Sequence, residues 1–247
     1  MKAYIPVDIR SDFASFDVQY GVIRRSTHAN TSWDWAKYEV YGHKWCDISE
    51  SKFGVAVLNE SKYGYSVRDN NIGLSLLKSA KFPHQEADMG DHEFVYSILP
   101  HERALEESSV FAEAYKLNTP LWAVIVERPA DNDDAVAWSN AVAQRKQFIE
   151  IDSPNVVVAA FKRAEDDGSC YVLRVNEERG EAVMAKISVA LELGVTGVVQ
   201  CNSLEDTGDD SVHEDSGKTR FEFDKETGIL VVHLKAYRIA SFILSTQ

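Results

Sequence analysis

Apolar residues along this chain fall into short segments with a two-residue period, punctuated by Gly, Asn, Asp and Pro. An extended backbone sends alternate side chains to opposite faces, so this period marks strands with one face turned to a core. Phe53–Asn59 (FGVAVLN), Tyr63–Arg68 (YGYSVR), Ile72–Leu77 (IGLSLL), Glu93–Leu99 (EFVYSIL) and Leu121–Val126 (LWAVIV) read as strands. Glu102–Leu117 breaks the pattern: Leu105, Ser108, Ala112 and Tyr115 recur at spacings of three and four, which predicts a crossover helix. From Glu127 to Asp152 a proline, an acidic run and weak periodicity predict a linker or long excursion. Further strands follow at Val156–Phe161, Tyr171–Val175, Glu181–Glu192, Thr196–Gln200, Ile229–Leu234 and Tyr237–Leu244. Leu204–Thr219 is acidic and glycine-punctuated, the composition of an exposed, mobile connection. The pattern predicts an all-β protein with one or two short helices: a large β-sandwich over residues 1–127, a linker over 128–151 and a smaller β-sandwich over 152–247.

One stretch stands apart. Ser26–Trp45 (STHANTSWDWAKYEVYGHKW) holds three of the five tryptophans, with His28, Asp34, Glu39 and His43 between them. Read as one strand, Trp33 to Trp45 places Trp33, Trp35, Lys37, Glu39, Tyr41, His43 and Trp45 on a single face. Flat rings beside ionisable groups suit a sugar, whose apolar face the rings cover while carboxylates and imidazoles take its hydroxyls. The same residues suit the broad core between sandwich sheets, and composition does not separate the two. Asp34, after an Asn-Thr-Ser turn, reads equally as a residue that caps or ties the loop. Arg25, Lys37 and Glu39 also read as an interface ion-pair set.

A second cluster, Pro83–Phe94 (PHQEADMGDHEF), gathers His84, Glu86, Asp88, Asp91, His92 and Glu93. Imidazoles and carboxylates are ligands for divalent metals, which makes His84 and Asp91 candidates, but no HExxH or other ligand spacing is present and a solvated acidic loop fits as well. None of the 39 acidic residues is singled out as a glycosidase pair. The formal net charge of −13 argues against nucleic acid and anionic membranes as partners. Charges interrupt the first 30 residues too often for a signal peptide or membrane span, and three cysteines without a CxxC pair fit a reducing compartment, so the expected location is cytoplasmic.

Arg25–Val67 (RSTHANTSWDWAKYEVYGHKWCDISESKFGVAVLNESKYGYSV) resembles the C-terminal region of glycoside hydrolase family 38 α-mannosidases, in particular the cytosolic and vacuolar branch. The resemblance continues through Leu74–His101 and reaches Tyr171–Ala182 (YVLRVNEERGEA), so it spans nearly the whole chain. It implies that the first sandwich is a galactose-mutarotase-like supersandwich, N-terminally truncated, and that the chain is a fragment, a truncated product or half of a split enzyme. Family members are far longer and carry a divalent metal, zinc or cobalt, and the catalytic carboxylates on an N-terminal barrel module. The resemblance therefore implies no catalytic residue and no cofactor on this chain. The implied partners are a catalytic barrel and mannose-containing glycans, with a homo-oligomer also open. Loops Thr27–Asp34 and Asp88–His92 are expected to face the barrel, which makes His28, Asn30, Trp33, Asp34, Asp88 and His92 the candidates for the substrate pocket or domain interface.

Overall fold

The structure, a computed structural model, describes residues 1–125, 147–208 and 218–246. The chain divides into two compact units, Met1–Leu121 and Trp122–Gln247. The first contains β1 (Lys2–Pro6), β2 (Phe13–Val18), β3 (Gly21–Ser26), α1 (Ser32–Ala36), β4 (Val40–Tyr41), β5 (Trp45–Ser49), β6 (Phe53–Asn59), β7 (Gly64–Arg68), β8 (Asn71–Ser75), β9 (Tyr96–Glu102) and α2 (Val110–Asn118). A five-stranded sheet in the order β3-β2-β5-β6-β9 faces a four-stranded sheet in the order β1-β8-β7-β4, with antiparallel pairing throughout.

The larger sheet is buried on both sides at its centre. Phe16, Cys46, Ile48, Val55 and Val57 meet Tyr65, Val67, Ile72 and Leu74 of the smaller sheet. On the opposite face, Trp45, Ala56 and Leu58 pack under Leu105, Val110, Phe111 and Ala114 from the α2 region. That double burial explains why β6 is a continuous apolar run rather than an alternation. Trp45 is fully buried, its indole edge-on to Phe111 at 5.2 Å between centroids. Asn59 closes the end of β6: its amide donates to the His43 carbonyl at 2.7 Å and to the Tyr65 hydroxyl, and its side-chain oxygen accepts from the Lys62 amide at 2.6 Å.

The second unit contains β10 (Ile149–Ile151), β11 (Val156–Arg163), β12 (Tyr171–Glu177), β13 (Val183–Val189), β14 (Val195–Cys201), β15 (Arg220–Asp224), β16 (Ile229–Leu234) and β17 (Ile239–Thr246). Two four-stranded sheets, β10-β13-β16-β15 and β11-β12-β17-β14, enclose a core of Leu173, Val175, Ile187, Leu230, Phe242 and their neighbours. β13 keeps strict period two, with Ala185, Ile187 and Val189 inward and Met184, Lys186 and Ser188 outward.

The architecture is all-β, as the pattern predicts, but several elements differ from expectation. Trp33–Trp45 is not one strand: it divides into α1, β4 and the start of β5. Leu121–Val126 forms no strand over its described residues 121–125, where Leu121, Trp122, Val124 and Ile125 are exposed with no ladder partner. β9 lies three residues beyond the expected Glu93–Leu99, running through Pro100, which an edge strand accommodates because no inner ladder bond is lost. The predicted helix from Glu102 begins only at Val110. Its phase restarts after a 3-10 turn at Leu105–Glu107, so Val110, Phe111 and Ala114 are buried while Ala112 is exposed. Residues 128–146 of the expected linker and 209–217 of the acidic loop lie outside the described residues, and Ile149–Ile151, read as linker, is β10. Among the described residues no helix is long and apolar enough to cross a membrane.

Candidate functional site

The segment joining β3 to β4 folds as a separate lobe because Thr31 and Asp34 form a reciprocal capping box. The Thr31 hydroxyl accepts from the Asp34 amide at 3.1 Å, and the Asp34 carboxylate accepts from the Thr31 amide at 3.2 Å and the Ser26 hydroxyl at 3.0 Å. These hydrogen bonds, Thr31's first and then Ser26's, hold the Asp34 carboxyl below its ordinary pKa against the opposing effect of desolvation. Three further ties fix the lobe to the sandwich. Arg68 donates to the Asp34 carbonyl at 3.1 Å and to the His28 carbonyl at 3.5 Å, the Asp69 amide donates to the Thr27 carbonyl at 2.8 Å, and the Thr27 hydroxyl donates to the Ser11 carbonyl at 2.6 Å. Helical rather than extended backbone leaves Trp33, Trp35 and Tyr38 outside any core, with relative exposures of 78%, 72% and 65%. Trp35 and Tyr38 line a shared cleft, while Trp33, two positions earlier on α1, points to a different face and lines neither of the clefts described below.

Two clefts meet at His28, whose Nδ1 is buried without a partner among the described residues. The first, about 760 Å³, includes Arg25, His28, Asp34, Lys37, Glu39 and Tyr41. The Arg25 guanidinium lies 4.6 Å from the Phe16 ring centroid and 4.8 Å from that of Tyr41, and desolvation by burial lowers its pKa. Glu39 pairs with Lys2 at 2.8 Å rather than with Arg25 or Lys37. The second cleft, about 660 Å³, is lined by Thr27, His28, Trp35, Tyr38, Arg68 and Asp69, with Ala29.

Of the expected site residues, His28 and Asp34 share the first cleft, Trp33 stands exposed on α1, and Asn30 is exposed in the loop before it. Asp88 and His92 lie in the β8–β9 loop and line neither cleft. They tie that loop to itself: the His92 Nε2 lies 2.9 Å from the Asp88 carbonyl, and the Asp88 carboxylate accepts from the Ser79 amide at 3.1 Å. His84 and Asp91 are exposed in the same loop, and no group of three or more His, Cys, Asp or Glu among the described residues is arranged to hold a metal ion. Tyr38, Arg68 and Asp69, which line the second cleft, are not among the residues expected from the sequence, since Arg68–Asp69 reads there only as a turn after a strand.

Sequence reading also missed a buried acid–imidazole pair. His101 Nε2 sits 2.8 Å from the Asp47 carboxylate, with side-chain exposures of 3% and 1%. Burial lowers the His101 pKa, but the hydrogen bond and charge of Asp47 outweigh it and leave the pKa raised. The Ser49 hydroxyl donates to the other Asp47 oxygen. A hydrolytic triad needs serine on the imidazole, so here the group instead braces β5 against β9 across Gly54.

Two antiparallel sandwiches, the first carrying a capped aromatic lobe, define an all-β architecture. Residues 1–86 match the glycosyl hydrolases family 38 C-terminal domain, and residues 155–242 match the glycosyl hydrolases family 38 C-terminal beta sandwich domain. The chain is 38% identical to α-mannosidase G of Dictyostelium discoideum over 94% of its own length and 20% of that protein's. It is 39% identical to α-mannosidase 2C1 of Mus musculus over 94% of itself and 22% of the relative. With the α-mannosidase of Saccharomyces cerevisiae it shares 34% identity over 99% of itself and 22% of the relative. A solved α-mannosidase from Enterococcus faecalis superposes with a TM-score of 0.71 at 16% identity, over 99% of this chain and 25% of that one, which shows the shared fold. The chain belongs to glycoside hydrolase family 38, of which it is a C-terminal region. It spans about a fifth of the length of the curated relatives it matches.

Proposed function

We propose that the chain serves an α-mannosidase that removes terminal α-D-mannose from glycans, as a β-region that does no chemistry itself. It packs against a catalytic module and completes the rim of the substrate pocket with the lobe around α1. The identity to α-mannosidases over 94% of the chain, at a fifth of their length, carries this reading. In it the metal, zinc or cobalt, and the catalytic carboxylates belong to the catalytic module. The capped lobe supports the contact role, because rings held out from the sandwich by three separate hydrogen-bonded ties have no core to fill. A cytoplasmic location is part of the proposal, supported by three free thiols, with burial raising Cys46 well above its ordinary pKa and Cys201 to about 11.

The test is hydrolysis of an aryl α-mannoside by the purified chain, with added zinc or cobalt and after chelation, then in the presence of the catalytic portion of mouse α-mannosidase 2C1 lacking its matching region. The expected result is no turnover by the chain alone and a gain when the two are combined. Metal-dependent turnover by the chain alone, or no gain on mixing, overturns the proposal.

A further inference from the structure

We propose that the cleft between α1 and the β7–β8 turn binds a neutral hexopyranose ring, with Trp35 and Tyr38 as the apolar platform and Asp69 as the hydroxyl acceptor. Choosing mannose as the sugar rests on the α-mannosidase reading; the cleft itself does not. Its volume, about 660 Å³, falls in the range of roughly 300–1,000 Å³ typical of small-molecule sites. Its two large rings are 72% and 65% exposed, so desolvating them against the C–H face of a sugar is favourable and displaces no existing packing.

The polar groups explain why a neutral ring fits better than a charged ligand. Arg68 already donates to the carbonyls of Asp34 and His28, so its guanidinium is engaged in holding the lobe. Asp69 uses its backbone amide on Thr27, and its carboxylate has no partner among the described residues. Its φ of 51° lies in the left-handed region, where Asp is tolerated, and the turn sets that carboxylate at the cleft. One cation and one anion at the cleft cancel, leaving an acceptor pair suited to adjacent hydroxyls. The formal net charge of −13 over the chain further disfavours an anionic guest.

The experiment titrates the full chain with methyl α-D-mannopyranoside, reading tryptophan fluorescence and backbone amide shifts, and repeats it for Trp35→Ala, Tyr38→Ala and Trp33→Ala. Saturable binding, on the order of millimolar for a single ring, is expected for the parent and for Trp33→Ala. A weakening of about tenfold or more is expected for Trp35→Ala and Tyr38→Ala, and a smaller loss for Asp69→Asn. No saturable response in the parent, or a response that survives Trp35→Ala, overturns the inference. The parent chain is also mixed with the catalytic portion of the mouse enzyme. Gain of turnover without sugar binding defeats the inference and leaves the proposed function standing; sugar binding without gain does the reverse.

Discussion

Gly54→Ala is a one-methyl change at a position where the added atom has no room. A Cβ there would lie 2.3 Å from His101 Nε2 and 2.4 Å from His101 Cε1, and 2.8 Å from the Ser49 side chain. These are not flexible chain ends: the imidazole is held at 2.8 Å by the Asp47 carboxylate, and both side chains are buried. The methyl therefore expels the imidazole and leaves Asp47 buried with Ser49 as its remaining side-chain partner. Removing one member of a buried pair costs about 3–5 kcal/mol, a large share of the ~5–15 kcal/mol that holds a domain folded. The same pair makes stability depend on pH. The folded pKa of His101 is raised, so its contribution is fully present below the unfolded value of about 6.5 and disappears as pH rises through the folded value. Urea unfolding of the first unit, followed by the fluorescence of buried Trp45, should give decreasing stability upward from about pH 6 in the parent. Gly54→Ala should be less stable at neutral pH and lack that slope. A Gly54→Ala variant within about 0.5 kcal/mol of the parent, with the slope intact, would refute the reasoning.

Glu177→Ala should destabilise the second unit by about 3 kcal/mol in chemical denaturation, because the fully buried carboxylate accepts from the amides of Arg179, Gly180 and Tyr237 at 2.8 to 2.9 Å. Thr31→Ala should remove the cap of α1 at about 1 kcal/mol. In an NMR titration it should also move the Asp34 carboxyl upward toward its ordinary pKa, since the Thr31 hydrogen bond is the largest cause of its depression. Trp45→Ala should cost about 3–5 kcal/mol, while Trp33→Ala should stay within about 0.5 kcal/mol; equal losses in thermal melts would contradict the assignment of one to a core and the other to a surface.

That last pair shows what the sequence carries and what it lacks. β16 was legible to the residue, and β13 within a longer predicted strand, because single-sided burial against a sandwich core writes period two directly into the chain. The segment at α1 defeats the same rule. Trp33, Trp35, Lys37 and Glu39 alternate as a strand would, yet the Thr31–Asp34 box, two hydrogen bonds between residues three apart, overrides the alternation. The reading of Asp34 as a loop tie was thus correct, while the single strand built around it was not.

The site was legible only where its residues are close in sequence. His28 and Asp34 stand six positions apart and were candidates, but Asp69 reaches the lobe through the β7–β8 turn, and only the Asp69–Thr27 backbone hydrogen bond reveals it. Asp47 and His101 are separated by 54 positions, and the registers Asp47↔Ala56 and Gly54↔His101 bring them together. A period records which face a residue occupies, not which residue of another strand lies beside it. Gly54 makes this plain: in sequence it is a weak residue within an apolar strand, and in the fold it is the space an imidazole fills.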